Sequence, residues 1–395
     1  MIPARVGIVG IGGYGRVLLE NLLEGKQAGT AEIAAAVVVD PVADAAHLSF
    51  LKEQAPDARI YPDWQSLCAA GETLDLMVLP IGIPYHAQFT LAALEAGWNV
   101  MVEKPLGGAV EDGLRIVEAA ERSSNFVAVG YQDMYGETAH EIKKVIRSGA
   151  IGTLQSIKSF AIWGRPLGYY QRNSWAGKLS HHGTAVFDSP FNNALAHYVN
   201  MALFLAGTDV DDPATPLSAE GALFRGHYIE SCDTAAIRWQ TDSGVEVGVW
   251  FSHLTSLQIH PEIIIEGSAG QVFWKMDDFW EMRRDGHETL RHPAGLSSEF
   301  RKAAIRRIIE KARGADVPVF TAAQAMAQVR ATALAHAATE IQQLPSSAIH
   351  KHATEDAHGN SSHWVEAPAL EKSLREAFEN NRLLRAEDFK TLPAD

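Results

Sequence analysis

The stretch "ARVGIVGIGGYGRVLLENLLEG", residues 4–25, places four glycines within six residues, between a β-branched apolar run and a helical pattern. Gly10, Gly12 and Gly15 stand in the G-x-G-x-x-G spacing. In a chain with 32 glycines that spacing alone says little; its place between strand and helix gives it meaning. A glycine turn there lets backbone amides approach a pyrophosphate at the helix N-terminus, so Gly13 and Tyr14 in the same loop are candidate contacts as well. The next apolar run, Ala31 to Asp40, ends on a carboxylate that can accept hydrogen bonds from both hydroxyls of an adenosine ribose. A 2'-phosphate at Asp40 would be repelled, and "DPVADAAH" offers no arginine or lysine to offset it. The expected cofactor is therefore NAD, with NADP the lesser alternative. The competing reading of Asp40 is a strand-end residue that starts a turn with Pro41.

Short β-branched runs and helical patterns continue to alternate through "LDLMVLP", "NVMVE" and "NFVAVGY", as a doubly wound parallel sheet requires. After Tyr131 longer runs such as "TLQSIKSFAIWG", "GVEVGVWFSHL" and "PEIIIEGSAGQVFWK" follow one another with few helices between. That texture predicts an α+β domain with a large, mostly antiparallel open sheet. At 395 residues two domains are expected, and the boundaries read as 1–131 for the Rossmann domain and 132–345 for the substrate and oligomerisation domain. A C-terminal linker and helix, 346–395, complete the chain. Within it "HKHATEDAHGNSSHWVEAP" reads as a polar loop, and "ALEKSLREAFENNRLL" as a helix docking on the body.

The run "NVMVEKPLGG" ends an apolar strand on Glu103 and Lys104 before Pro105. Strand carboxyl ends are where ligands sit in such sheets. Proline biases Lys104 away from helical geometry and permits a cis bond, which fixes where the lysine points.

"GIGGYG", "PYHAQFTLAALEAGWNVMVEKPLGG" and "VGYQDMYGETAHEIKKVIRSGAIGTLQSIK" together resemble the Gfo/Idh/MocA oxidoreductases, the glucose-fructose oxidoreductase and inositol dehydrogenase family, over residues 4 to 340. The resemblance implies hydride transfer between a nicotinamide and a hydroxyl or carbonyl of a sugar, polyol or sugar-acid-like substrate. It also implies a homodimer or homotetramer built through the second-domain sheet. Pro80, His86, Glu103, Lys104 and Gln132 join the candidate cofactor contacts, and Lys104 becomes the candidate catalytic lysine. Its ammonium beside the reacting oxygen would stabilise a developing alkoxide.

Members of that family carry an Asp and then a His four residues later on a helix. Here Asp188 and His197, the two anchors, lie nine apart, which would set them on opposite faces of a continuous helix. Ser189-Pro190 looks like a helix start, making Asn193 the i−4 neighbour of His197. His197 is the candidate acid/base, with Asn193 or Asp188 as its partner. Arg172, Trp175 and Lys178 in "YYQRNSWAGKLSHHG" suit a hydroxylated or anionic substrate.

A net charge of −14 argues against nucleic acid as partner, and "RKAAIRRIIEKARG" reads as a solvated helix face. Two cysteines provide no disulfide framework and suit a reducing cytoplasm; no apolar run is long enough to span a membrane. No metal is expected, the histidines near residue 350 lying in a polar tract without a rigid ligand geometry. Two alternatives to a dehydrogenase stay open: an NAD-sensing regulator of the same fold, suggested by the displaced Asp, and an NAD-dependent glycosidase.

Overall fold

The short apolar runs of the first third become the strands of one parallel sheet. In chain order they are β1 (Ala4–Val9), β2 (Ala31–Val37), β3 (Arg59–Tyr61), β4 (Leu76–Leu79), β5 (Asn99–Val102) and β6 (Val127–Val129). Their spatial order is β3-β2-β1-β4-β5-β6, the doubly wound arrangement whose reversal lies between β1 and β4. Most β1, β4, β5 and β6 positions are buried, as expected for strands covered by helices on both faces. The short β3 and the helix Trp64–Ala69 carry too little periodicity to be read from sequence.

In a computed structural model, which describes residues 2–355 and 360–389, the chain separates into two compact units. One comprises Met1–Gly136 with Ser297–Met326, the other Glu137–Leu296 with Ala327–Asp395. Residues 297–326 thus return to the nucleotide unit, where the linear reading had kept them with the second domain. Val129 donates its N–H to Phe320 O at 2.8 Å, and Ala128 bridges Thr321, so the returning segment flanks β6. The helix Ser297–Ala312 buries Ile305, Ile308 and Ile309.

In the second unit β7 (Leu154–Trp163) lies at the centre of a nine-stranded sheet. A two-residue hairpin, β8 (Ser180–His181) and β9 (Thr184–Ala185), stands apart from it. The sheet continues with β10 (Pro216–Arg225), β11 (Thr234–Thr241), β12 (Glu246–Ser252), β13 (Gln258–Gly267), β14 (Gly270–Lys275), β15 (Phe279–Arg283), β16 (Leu290–Pro293) and β17 (Ile341–Gln343). Pairing is antiparallel except for β7 with β12 and β10 with β17. The helix Ala196–Ala206, apolar nearly all round, packs on β7, β12 and β13 and is buried over most of its length.

The C-terminal helix Leu370–Glu379 docks as expected, setting Leu374 and Phe378 among Phe160, Trp250 and Phe224. The preceding stretch departs from the expected loop. It forms a hairpin of β18 (His350–Glu355) and β19 (Ser361–Glu366), because Lys351/Val365 and His352/Trp364 pair across it. Residues 356–359 of that stretch and 390–395 of the extension lie outside the described residues. No helix among the described residues is long and apolar enough to cross a membrane.

Candidate active-site residues

The glycine loop fits a dinucleotide pyrophosphate. Gly10 and Gly13 adopt φ of +85° and +53°, and a side chain at either would project into open space rather than against protein. That is room for a ligand directly above the backbone. Gly13 is the N-cap of the helix Tyr14–Gln27, α1, and no side chain caps it. A Cβ on Gly15 would strike the Gly10 carbonyl, so the closeness of strand and helix requires glycine there; Pro80, just after β4, touches the same spot.

Asp40 follows β2 on the surface, and its Oδ1 accepts the N–H groups of Val42 at 3.1 Å and Ala43 at 2.9 Å. The carboxylate thus does hold the turn at Pro41, the second of its two readings, through one oxygen. Asp44, one turn further on, lies with its carboxylate against Gly12. The sequence reading passed over Asp44, although it shares the segment "DPVAD" with Asp40. Arg16, which follows Gly15 of the loop, is paired with Glu20 at 2.8 Å and stacked on Phe50.

Around the strand end of β5 the Lys104–Pro105 bond is cis. Glu103 is 6% exposed, and burial raises its carboxyl to about 7 against the opposing charges of Lys104 and Arg301. The Lys104 backbone N–H donates to Glu103 Oε2 at 3.2 Å, tying the carboxylate to the turn. His86 corrects an expectation. Its ring is fully buried, with Nδ1 2.6 Å from Pro105 O and Nε2 3.0 Å from Ile81 O. Both ring nitrogens face backbone carbonyls, and the neutral ring donates to one of them; it is enclosed between the turns after β4 and β5 with no surface left for a cofactor. Burial lowers its pKa to about 4.

Gln132, at the start of the short turn Gln132–Tyr135 that follows β6, is buried and accepts from Arg301 Nε at 3.2 Å; the same guanidinium stands 5.5 Å from the Tyr14 ring. The basic helix is therefore not only a solvated face. Arg301 belongs to the group formed by Tyr14, Gln132 and Glu103, and its charge in a segment otherwise at helical spacing gave no sign of this.

In the second unit the helix does not start at Ser189-Pro190. Residues 189–195 form successive turns and the helix begins at Ala196. Asn192 and Asn193 explain the delay, since their side chains bond nearby groups: Asn192 Nδ2 donates to Val186 O and Asn193 Nδ2 to Asp188 Oδ1 at 2.6 Å. Asn193 is thus not a helical i−4 neighbour of His197, and the inserted residues fold back so that it meets Asp188. Asp188 is buried, and its Oδ2 accepts the Gly177 N–H at 2.6 Å. His197 is the second residue of the helix and half-buried.

Arg172 lies 3.6 Å from Asp188, and its guanidinium covers the Tyr169 ring at 3.7 Å, so much of its charge is answered within the protein. Trp175 is half-buried and Lys178 passes its backbone carbonyl to the Asp188 N–H at 3.0 Å. Tyr169, which the sequence reading left unnamed, accepts from Asn193 Nδ2 at 3.5 Å. Burial, reinforced by the Asp188 charge, pushes its phenol up to about 12, so it carries its proton at neutral pH. Asp188, Asn193, Tyr169 and Arg172 form one connected polar group from two stretches of chain, 169–172 and 188–193.

Comparison with known proteins agrees with these two units. A model of the oxidoreductase family with NAD-binding Rossmann fold, GFO_IDH_MocA, matches residues 4–131, and the GFO/IDH/MocA C-terminal domain matches residues 139–273. The 1-carboxy-3-chloro-3,4-dihydroxycyclohexa-1,5-diene dehydrogenase of Comamonas testosteroni is 29% identical over 63% of this chain and 57% of its own length. An inositol 2-dehydrogenase of Burkholderia multivorans is 33% identical over 38% of this chain and 42% of its own. The chain thus spans about half the length of the curated relatives it matches. Among solved structures, the WlbA dehydrogenase from Bordetella pertussis, in complex with NADH and UDP-GlcNAcA, has a TM-score of 0.72 at 22% identity, over 85% of this chain and 95% of that one. KijD10, a 3-ketoreductase from Actinomadura kijaniata in complex with NADP and TDP-benzene, reaches 0.69 at 16% identity, over 87% and 100% of the two chains. These likenesses carry the fold, and one neighbour holds NADH where another holds NADP. The two matched family models, lying in succession along a glycine-loop Rossmann sheet and a nine-stranded second sheet, establish that the chain belongs to the Gfo/Idh/MocA family of oxidoreductases.

Proposed function

We propose that the protein is an NAD-dependent oxidoreductase acting on a hydroxyl or carbonyl of a sugar, polyol or sugar-acid-like substrate. The observation that carries the reading is the strand end after β5, where Lys104 stands beside a buried Glu103 whose carboxyl titrates near 7. Bound nicotinamide supplies the hydride acceptor or donor. Lys104 then places an ammonium at the reacting oxygen and stabilises negative charge as the hydroxyl proton leaves. Glu103 holds the turn that presents the lysine, through the hydrogen bond from the Lys104 N–H.

His197 takes the hydroxyl proton in this reading, an imidazole having one nitrogen to accept a proton and another to hold one. Asp188 fixes Asn193 and, through it, Tyr169, so these groups orient the substrate rather than transfer the proton. Arg172 is engaged with the buried Asp188 at 3.6 Å, which leaves Trp175 and Lys178 as the more available substrate contacts. The preference for NAD is supported by two carboxylates, Asp40 and Asp44, at the loop and by an Arg16 already engaged elsewhere.

The test is NADH formation with a panel of cyclitols, hexoses and sugar acids. Wild-type protein turns over at least one of them, and Lys104→Ala lowers kcat by about 10²–10³-fold while NADH still binds. Turnover undiminished in Lys104→Ala contradicts the assignment of the lysine. NADH binding without turnover of any substrate class would favour a sensing role.

A further inference from the structure

The helix Ser297–Ala312 docks on the rest of the nucleotide unit through three consecutive side chains. Phe300 lies so close to Gly136, which caps the turn Gln132–Tyr135, that a Cβ on Gly136 would meet its ring at 2.5 Å. Lys302 pairs with Glu24 of α1 at 3.2 Å. Arg301, between them in sequence, donates from Nε to Gln132 Oε1 at 3.2 Å and sets its guanidinium 5.5 Å from the Tyr14 ring.

Both partners of Arg301 are candidate cofactor contacts. Tyr14 follows Gly13, where the backbone opens onto ligand space, and Gln132 follows β6 at the carboxyl edge of the sheet. One guanidinium engages the two at once, Gln132 through its Nε–H and Tyr14 through its charge, a pairing that suits its delocalised fork better than a lysine ammonium. The same cation acts on Glu103. Burial raises that carboxyl, and Lys104 and Arg301 both work against the rise. The other groups facing Glu103 are Tyr14 from α1 and Tyr131 and Tyr135 from the segment after β6, whose phenols burial raises so that they stay neutral. Asp133 adds its charge at Tyr14, and Arg307 of the helix acts on Tyr135.

We propose that Arg301 is a positioning residue of the nucleotide site, locking Tyr14 of the glycine loop and Gln132 after β6 in the arrangement that receives the nicotinamide dinucleotide. The identity of that ligand rests on the oxidoreductase reading. Two side chains already held in place need not be ordered when the cofactor arrives, and an ordering cost of that kind otherwise comes out of affinity.

The experiment titrates full-length protein with NADH and follows urea denaturation of the same variants between about pH 5 and about pH 9. Arg301→Met should weaken NADH binding about 10-fold. Gln132→Met, at the other end of the hydrogen bond, should weaken it by about as much, and it carries the test if Arg301→Met folds poorly. The double variant should bind within about 2-fold of either single one, because both changes break the same lock. Arg301→Lys keeps the charge without the Nε–H and should recover about 3-fold of the affinity at most. The charge has a readout of its own that a loss of packing would not move. In the wild type, stability from Glu103 is lost as pH rises to about 7; in Arg301→Met the loss should continue to higher pH, and Arg301→Lys should restore the wild-type profile. NADH affinity unchanged in both Arg301→Met and Gln132→Met, or losses that multiply in the double variant, overturns the lock. An unaltered pH profile in Arg301→Met overturns the placement of its charge at this group. Failure of the wild type to bind NADH or NADPH overturns the oxidoreductase reading and the lock together. Coupled losses of NADH affinity without turnover of any substrate class keep the lock and remove the oxidoreductase reading.

Discussion

The nucleotide unit and the second unit build their chemistry by different means. In the first, function depends on backbone: glycines at positive φ, an uncapped helix N-terminus and strand ends that deliver Asp40, Lys104 and Gln132 to one edge of a parallel sheet. In the second, the candidate group is a side-chain network within one segment, residues 169–193, in which Asp188 accepts from the Gly177 N–H and from Asn193 while Arg172 and Tyr169 pack beside them. Backbone geometry is set by a few adjacent residues. A side-chain network is set by how its loop folds, and the turns after Asp188 bring Asn193 back onto it.

That contrast can be broken most directly at Gly15. Gly15→Ala places a methyl against the Gly10 carbonyl, and displacing the loop by a fraction of an ångström should weaken NADH binding about 10²-fold or more. Equilibrium titration checks this, and near-wild-type affinity would show that the close packing of strand and helix is not what shapes the site.

Glu103 provides the next effect. Its carboxyl titrates near 7 when folded and near 4.5 when free, so between those values the folded chain keeps a proton that the unfolded chain releases. Stability from this group is therefore full below pH 4.5 and falls as pH rises to 7, by about 3 kcal/mol. Urea denaturation at pH 5 and pH 7.5 should show Glu103→Gln removing that loss. Equal pH dependence in the two proteins would mean that Glu103 is not the titrating group.

Asp188→Asn is expected to be milder, because a neutral amide can keep part of the hydrogen bonding to Gly177 and Asn193. A fall of about 10-fold in kcat/KM, with NADH affinity unchanged, follows from losing one charged, buried acceptor. Loss of NADH binding in this variant would contradict the division of labour between the units.

Much of the first unit was legible because its signals are short-range. The glycine loop, the alternation of strand and helix patterns and Glu103-Lys104-Pro105 each lie within a few residues of what they position. His86 was placed in the right neighbourhood but with the wrong role, since its carbonyl partners at Ile81 and Pro105 come from two different turns. Arg301 was missed for the same reason: 169 residues separate it from Gln132. In the second unit the residue types at 172, 188, 193 and 197 drew attention, yet the helix start at Ala196 was hidden. Ser189-Pro190 has the chemistry of a helix N-terminus, and only the side-chain bonds of Asn192 and Asn193 show why turns prevail there. The hairpin of residues 350–366 escaped because β18 is polar and exposed throughout, and in β19 the two apolar residues Trp364 and Val365 are adjacent, which removes the apolar–polar alternation that marks a half-buried strand.

The most direct test of the account is a fluorescence titration of nucleotide-free protein with NADH and with NADPH. The account predicts saturable NADH binding, with NADPH weaker by about 10-fold or more because its 2'-phosphate meets Asp40 and Asp44. Tighter binding of NADPH would contradict the role given to those carboxylates, and binding of neither would contradict the cofactor on which the proposed chemistry depends.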